Sequence, residues 1–270
     1  MAEQAWIPDD VPLDKPNPAR MYDYLLGGYH NFAIDRKAAE RMVSINPNAP
    51  LIMQANRVFL RRAVKFLIDQ GIDQFLDLGS GIPTGGNVHE VAQQLNHAAR
   101  IVYVDNDPVA VRHSEAILQD NPNAIVIQAD VRQPEQLLSH PEVKRLLDFS
   151  KPMAVLLLFL LHFLTDDEVA YGLVHSLRDA MAVGSSIAIS HGTLDNLPPM
   201  AIQGLEEVYA RSPTQAKLRS RMEIAAFFEG LELVEPGLVY VPLWRPEGPD
   251  DLFLDHPAKS DTFCGIGYKR

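Results

Sequence analysis

Residues 75–87, Phe75-Leu76-Asp77-Leu78-Gly79-Ser80-Gly81-Ile82-Pro83-Thr84-Gly85-Gly86-Asn87, leave few folds open to the chain. They read as a buried strand, a glycine turn and the start of a helix. The apolar run of Phe75, Leu76 and Leu78 suits the middle of a parallel sheet, and Asp77 is its one polar interruption near the carboxyl end. Gly79 and Gly81 lack the side chains that would hold a ligand away from the backbone. The helix that follows aims free N–H groups and its positive dipole end at the same place. A glycine turn by itself serves structure as readily as binding, so its meaning depends on the strands that follow.

With 270 residues, 47% of them hydrophobic, the chain has room for one large α/β domain, or one domain with an appendage, and is not a disordered protein. The single Cys264 excludes a disulfide framework and a cysteine-rich zinc site, and it fits a reducing compartment. No metal is expected. Met1 to Asp10 is acidic and has no apolar core, so no signal peptide is expected and the chain is placed in the cytoplasm. Its longest apolar run, Met153 to Leu164, is too short for a bilayer and contains His162. A formal net charge of −11 works against long polyanions, so a small molecule or a protein is the expected substrate and nucleic acid is not.

Residues 1–16 read as an irregular arm. Asn17-Pro18 then opens a helix that carries Met21, Tyr24 and Leu25 and stops at Gly27-Gly28. The stretch Tyr29-His30-Asn31-Phe32 is too polar for a core helix and too aromatic for a plain linker, which makes it a candidate lid. Helices are expected over 35–45 and 51–69. On the second, Arg57, Arg61 and Lys65 form a basic stripe from which Arg57 could reach an anionic group. From residue 74 strands and helices alternate, which predicts a mainly parallel, doubly wound sheet. Strands are expected at 74–78, 101–104, 124–128, 153–158 and 185–190. A pair at 231–241 and 262–268 reads as a hairpin that adds an antiparallel edge. Thr165-Asp166-Asp167-Glu168 is a helix cap, so its carboxylates are structural.

Three acids fall at or near the ends of the first three strands: Asp77, Asp105 and Asp130. In an open α/β sheet that edge binds ligands. Asp105 follows the glycine turn at a distance that lets a carboxylate accept both hydroxyls of a ribose. Asp130, with the backbone of Val131 beside it, is placed for the exocyclic amine of adenine. Together they predict an adenosine site, which NAD and S-adenosylmethionine could each fill. The dinucleotide fingerprint wants glycine or alanine where this chain has Thr84, and Pro83 stiffens the turn and removes a donor. An acid two residues before the first glycine instead resembles the first motif of class I S-adenosylmethionine methyltransferases, with Asp77 near the methionyl amine.

The likeness is closer than a superfamily. The run from Phe75 to Thr84 with Asn87-Val88-His89-Glu90, followed by Val102-Tyr103-Val104-Asp105-Asn106-Asp107-Pro108, resembles a bacterial S-adenosyl methyltransferase family. Pro18-Ala19-Arg20-Met21-Tyr22-Asp23-Tyr24-Leu25-Leu26-Gly27-Gly28, with Asn31-Phe32 and Asp35-Arg36, is similar to its N-terminal signature. Asn56-Arg57, Leu161-His162-Phe163, Glu235-Pro236-Gly237 and Trp244-Arg245-Pro246 resemble its later blocks. The resemblance implies a class I Rossmann-like fold, a seven-stranded sheet with its last strand antiparallel. It also implies S-adenosylmethionine bound through Gly79, Gly81, Asp105 and Asp130, with S-adenosylhomocysteine as product. Ser80, Asn87 and Asn106 complete the expected cofactor contacts. No acceptor is implied.

Residues 1–70 are thus expected to cover a methyltransferase core at 71–270. Methyl transfer from a sulfonium is a single displacement, so alignment alone can supply roughly 7–11 kcal/mol. An oxygen acceptor would gain from a base, for which His162 and His191 stand after the fourth and fifth strands. Tyr24, His30, Asn31 and Arg57 are the expected acceptor pocket or lid. Two other readings share the motifs: a non-catalytic S-adenosylmethionine-binding module and, disfavoured by Pro83 and Thr84, a nicotinamide oxidoreductase.

Overall fold

The computed structural model of the protein describes residues 14–210, 212, 214–249 and 251–270; most of the expected N-terminal arm lies outside them. Three helices precede the first strand: α1 (Pro18–Leu25), α2 (Ala33–Ile45) and α3 (Ala49–Asp69). Asn17 caps α1 by accepting the Ala19 N–H at 2.8 Å, and Pro18 occupies the first turn, where no amide hydrogen is needed. Gly27 and Gly28 end the segment for different reasons. Gly27 takes a φ of +83°, whereas a Cβ on Gly28 would collide with the buried Asp23 carboxylate.

The alternating part runs β1 (Gln74–Leu78), α4 (Val88–Leu95), β2 (Arg100–Asp105), α5 (Pro108–Leu118), β3 (Ala124–Gln128), α6 (Pro134–Ser139), α7 (Pro141–Leu146), β4 (Ala154–Leu158), α8 (Asp167–Ala180) and β5 (Ser186–Gly192). It is followed by α9 (Pro199–Ala210), α10 (Arg221–Ala226), β6 (Glu232–Leu233), β7 (Val239–Tyr240) and β8 (Thr262–Tyr268). The sheet order is β3-β2-β1-β4-β5-β8-β6, with β7 also on β8. Strands β1 to β5 are parallel, and β8 runs antiparallel to β5.

The seven-position sheet with an antiparallel last strand is therefore present, with one correction of detail. The strand expected over 231–241 is broken into β6 and β7, because Pro236 has no N–H to give a ladder and Gly237 turns the chain at φ +85°. The pair at 231–241 and 262–268 does add the expected antiparallel edge, with β8 (Thr262–Tyr268) as its inner strand. Strand β8 lies between β5 and the two short strands, which the long connection 242–261 allows.

Side-chain alternation sorts the sheet into two packed faces. Leu76, Leu78, Val102, Val104, Val155 and Leu157 meet α6, α7, α8 and α10. Phe75, Ile101, Tyr103, Ala154 and Leu156 meet α3 and α4. With a period of two, Asp77 and Asp105 point to the α3 side. A separate small core of Met21, Leu25, Ala39, Met42, Ala49 and Val208 joins α1, α2, α3 and α9. The helices before β1 and the helix after β5 thus pack on one another over the carboxyl ends of the strands. Among the described residues no helix is long and apolar enough to cross a membrane.

Candidate functional site

The loop after β1 uses its two glycines differently. Gly79 (φ +68°) lies against the turn after β4, where a Cβ would stand 2.6 Å from Leu160 Cδ1. Gly81 (φ +67°) faces open space, with nothing within 4 Å of a Cβ placed there. Asp105 ends β2 beside it. One carboxylate oxygen accepts the Gly81 N–H at 2.7 Å and the other the Asp107 N–H at 2.8 Å. Each oxygen keeps acceptor capacity. Burial raises the Asp105 pKa even so, with the backbone donors opposing it.

Asp77 is 5% exposed. No hydrogen bond from a described residue reaches its carboxyl, and burial pushes it up to about 7, with Arg57 pulling it down and Asp105 adding to the rise. Arg57 turns away from the exposed stripe of Arg61 and Lys65 and donates from Nη2 to the Gly85 carbonyl at 2.8 Å and to Asn87 Oδ1 at 3.2 Å. Asn87 caps α4 and also donates to Glu90, so its side chain is committed within the loop. Ser80 Oγ is buried with no hydrogen-bond partner among the described residues. Asp130 is held by the Arg132 guanidinium at 2.5–2.9 Å, which lowers its pKa.

A cavity of about 740 Å³ borders all of these: Asp77, Gly79, Ser80, Gly81, Asp105 and Asn106, then Asp130 and Val131 at the end of β3. From there it runs under the helical cover to a largely apolar chamber with Ile52, Met53, Leu197, Leu205 and Tyr209 in its walls. His162 lies on this cavity, in a short 3-10 turn, Leu161–Phe163, after β4. Its Nδ1 is buried with no hydrogen-bond partner among the described residues, and burial, with His191 and Arg219 adding, holds the imidazole well below its usual pKa. The ring is therefore neutral, and Nε2 is the nitrogen left to meet a ligand.

His191 stands differently. The fifth strand continues to Gly192, so His191 lies within β5, on the opposite face from Ser190. It is fully buried, its Nδ1 donates to the Gly192 carbonyl at 2.7 Å, and its Nε2 accepts from Arg219 at 3.0 Å. Burial lowers its pKa to about 3. The structure does not bring it to the cavity. Arg219, itself buried, ties this region together by donating to the Leu161 and Leu164 carbonyls at 3.0 and 2.8 Å and to Asp167.

Of the expected pocket or lid residues Arg57 borders the cavity, whereas Tyr24, His30 and Asn31 lie off it. Tyr24 donates to Glu40 at 3.1 Å, the His30 ring lies tilted against that of His113 of α5 with ring centres 3.8 Å apart, and Asn31 binds Asp23 at 2.8 Å and the Gly28 carbonyl at 3.0 Å. What α1 presents instead is Arg20, Met21, Tyr22 and Leu25. Tyr22 donates to the Met53 carbonyl at 3.2 Å and accepts from Asn56 at 3.1 Å. Asn56 Oδ1 accepts the Ser190 hydroxyl at 2.6 Å, and Ser190 Oγ accepts the N–H of Phe159, which has a φ of +53°. Arg20 sits buried between Asp35 and Asp107, at 3.8 and 3.6 Å. The N-terminal signature contains both Arg20 and Tyr22, but spacing alone did not single them out.

Fold and edge together define an α/β protein of the class I methyltransferase type, with a nucleoside-sized site at the strand ends. The comparisons narrow this. The family model described as S-adenosyl methyltransferase matches residues 4–270, and the chain belongs to that family. It is similar to a provisionally described methyltransferase of Thermobifida fusca YX, with 42% identity, a TM-score of 0.92, and 98% of this chain and 99% of that one covered. A DUF574 family protein of Streptomyces avermitilis MA-4680 follows at 36% identity and TM-score 0.89, with 96% and 99% covered. At 13% identity and TM-score 0.50, covering 93% of this chain and 98% of that one, the N-methyltransferase NodS of Bradyrhizobium japonicum WM9 shares the fold. No curated protein matches the sequence. S-adenosylmethionine, the cofactor expected from the sequence, is the one for which the family is named.

Proposed function

We propose that the protein moves a methyl group from S-adenosylmethionine to an oxygen or nitrogen of a small, largely apolar acceptor held in the chamber. The observation that carries this reading is the single cavity that joins the acidic strand ends to that chamber. At about 740 Å³ it lies within the size range of small-molecule sites.

The residues present fit the cofactor. Asp77 is a buried carboxylate with no donor among the described residues, and an α-ammonium would supply one. Ser80 Oγ is buried with no partner among the described residues, and bare Gly81 borders open space. Asp105 would accept the ribose hydroxyls, with Gly81 and Asp107 holding its carboxylate in place. Asp130 would accept the adenine amine beside Val131, and Asn106 lies on the same wall. Arg57 is positioned to balance the charge at Asp77, and Asn87 to hold Arg57.

When bound, S-adenosylmethionine supplies a methyl carbon activated by its sulfonium. The chain's own task is then alignment and exclusion of water, which the apolar walls under α1 and α9 serve. For a hydroxyl acceptor His162 would take the proton at Nε2, and its neutral state at physiological pH suits that role. His191 has no free nitrogen for it.

Calorimetry with S-adenosylmethionine, S-adenosylhomocysteine and NADH tests the reading first. Selective binding of the two sulfur ligands is expected, followed by methylated product in a screen of small apolar alcohols, phenols and amines. Failure of either sulfur ligand to bind would overturn it.

A further inference from the structure

The chamber holds one carboxylate that the cofactor reading does not use. Asp261 closes the short 3-10 turn Pro257–Ser260 and leads into β8, beyond β4 and β5 from the glycine loop. Its backbone is in the left-handed region, φ +44°, and its carbonyl accepts the Thr193 N–H at 2.9 Å. Its side chain lies on the cavity, where Oδ2 accepts from Asn46 Nδ2 at 2.9 Å, and Asn46 is a cavity residue as well.

The turn explains the backbone but not the charge. Glycine or asparagine would adopt the same left-handed conformation without placing a half-buried carboxylate on the cavity. Among the described residues no cation pairs with Asp261, and burial raises it to about 6 with only Asn46 opposing. The cavity's cations are engaged at its other end: Arg57 on Gly85 and Asn87, Arg132 on Asp130, and Arg20 between Asp35 and Asp107. Asp261 is half-buried, and the cavity it borders also has the apolar Ile52, Met53, Leu205 and Leu218 in its walls. A carboxylate in such surroundings is unfavourable unless something pairs with it.

We propose that the chamber takes an acceptor with an apolar body and a basic nitrogen, and that Asp261, oriented by Asn46, pairs with that nitrogen. This rests on the methyltransferase reading and adds the chemical class of the acceptor. The contact is a non-covalent, charge-assisted hydrogen bond from the ammonium to the carboxylate. It selects among acceptors and leaves the cofactor end untouched.

The test compares matched probes on protein saturated with S-adenosylhomocysteine: phenethylamine against 2-phenylethanol, and tryptamine against tryptophol, by calorimetry. Wild type is expected to favour each amine by on the order of tenfold to a hundredfold. Asp261→Asn, which keeps the turn and the bond to Asn46, should remove that preference and leave S-adenosylhomocysteine affinity unchanged. Asp261→Gly, which keeps the left-handed backbone, should do the same. Equal binding of amine and alcohol to wild type, no amine binding at all, or a preference that survives both substitutions overturns the proposal. None of these outcomes touches the methyltransferase reading, which fails only if the sulfur ligands themselves do not bind.

Discussion

At the glycine-loop end of the cavity Asp105 is held by backbone N–H groups, whereas in the chamber Ser190 and Asp261 are held by side chains from distant parts of the chain. Asp105 is fixed by the N–H groups of Gly81 and Asp107, 24 and 2 residues away. Ser190 is fixed by Asn56 across 134 residues, and Asp261 by Asn46 across 215. A backbone donor is present whatever the residue type, so a strand–turn–helix unit can carry a binding edge from one protein to another. A side-chain donor exists only where a particular residue stands on a particular helix. The first kind of site suits a ligand common to a whole fold, and the second suits one peculiar to a family.

If that division holds, changes in the chamber should alter transfer without altering cofactor affinity. The largest effect is expected from His162→Ala, which should slow transfer to an oxygen acceptor by about 10²–10⁴-fold. S-adenosylhomocysteine affinity, measured by calorimetry, should stay as in wild type. Its collapse would move His162 into the cofactor end and break the comparison.

Asp77 tests the other end through stability. Its pKa rises from 3.8 in the unfolded chain to about 7 in the folded one, so between those values the folded state keeps a proton that the unfolded state has lost. Stability of the ligand-free protein therefore falls as pH rises from about 4 to about 7 and levels off above. Asp77→Asn should flatten that slope and raise stability above pH 7 by up to roughly 4 kcal/mol in chemical denaturation, while weakening S-adenosylmethionine binding. An unchanged slope would mean that Asp77 is solvated in the folded state.

Asp105→Ala should weaken S-adenosylhomocysteine by roughly 10- to 150-fold, as expected for losing hydrogen bonds to a charged acceptor. Unchanged affinity would place the ribose elsewhere. The smallest effect is expected from Tyr22→Phe, which removes the bonds of the Tyr22 hydroxyl to Met53 and Asn56 at a stability cost of about 1 kcal/mol. Acceptor binding should loosen and cofactor affinity should not; equal losses in both would show that the two ends are one unit.

The same contrast governs what is legible in the sequence. Strands β1 and β3 fall where hydrophobic runs and turn residues predict them, because each is a short buried segment bounded by local signals. Tyr24 was singled out on α1, but Tyr22 is the tyrosine on the cavity. Two residues are more than half a helical turn apart, and which side faces inward depends on how α1 docks on α3, which spacing within α1 cannot say. His191 was read as following its strand. One more pair of ladder partners, with Phe263 of β8, keeps it inside the sheet and points it away from the ligand edge.

Sequence by itself determined the parallel sheet, the glycine loop and the acids at the ends of β1 to β3, because these rest on periodicity and on bonds within short stretches. Only the tertiary structure decided that β8 enters beside β5, that Tyr22 and Asn56 reach Ser190, and that Asp261 comes to rest against Asn46. Those contacts join residues far apart in the chain. The physical reason is that side-chain partners of this kind leave no periodic trace, and their placement is settled only when the helical cover packs onto the sheet.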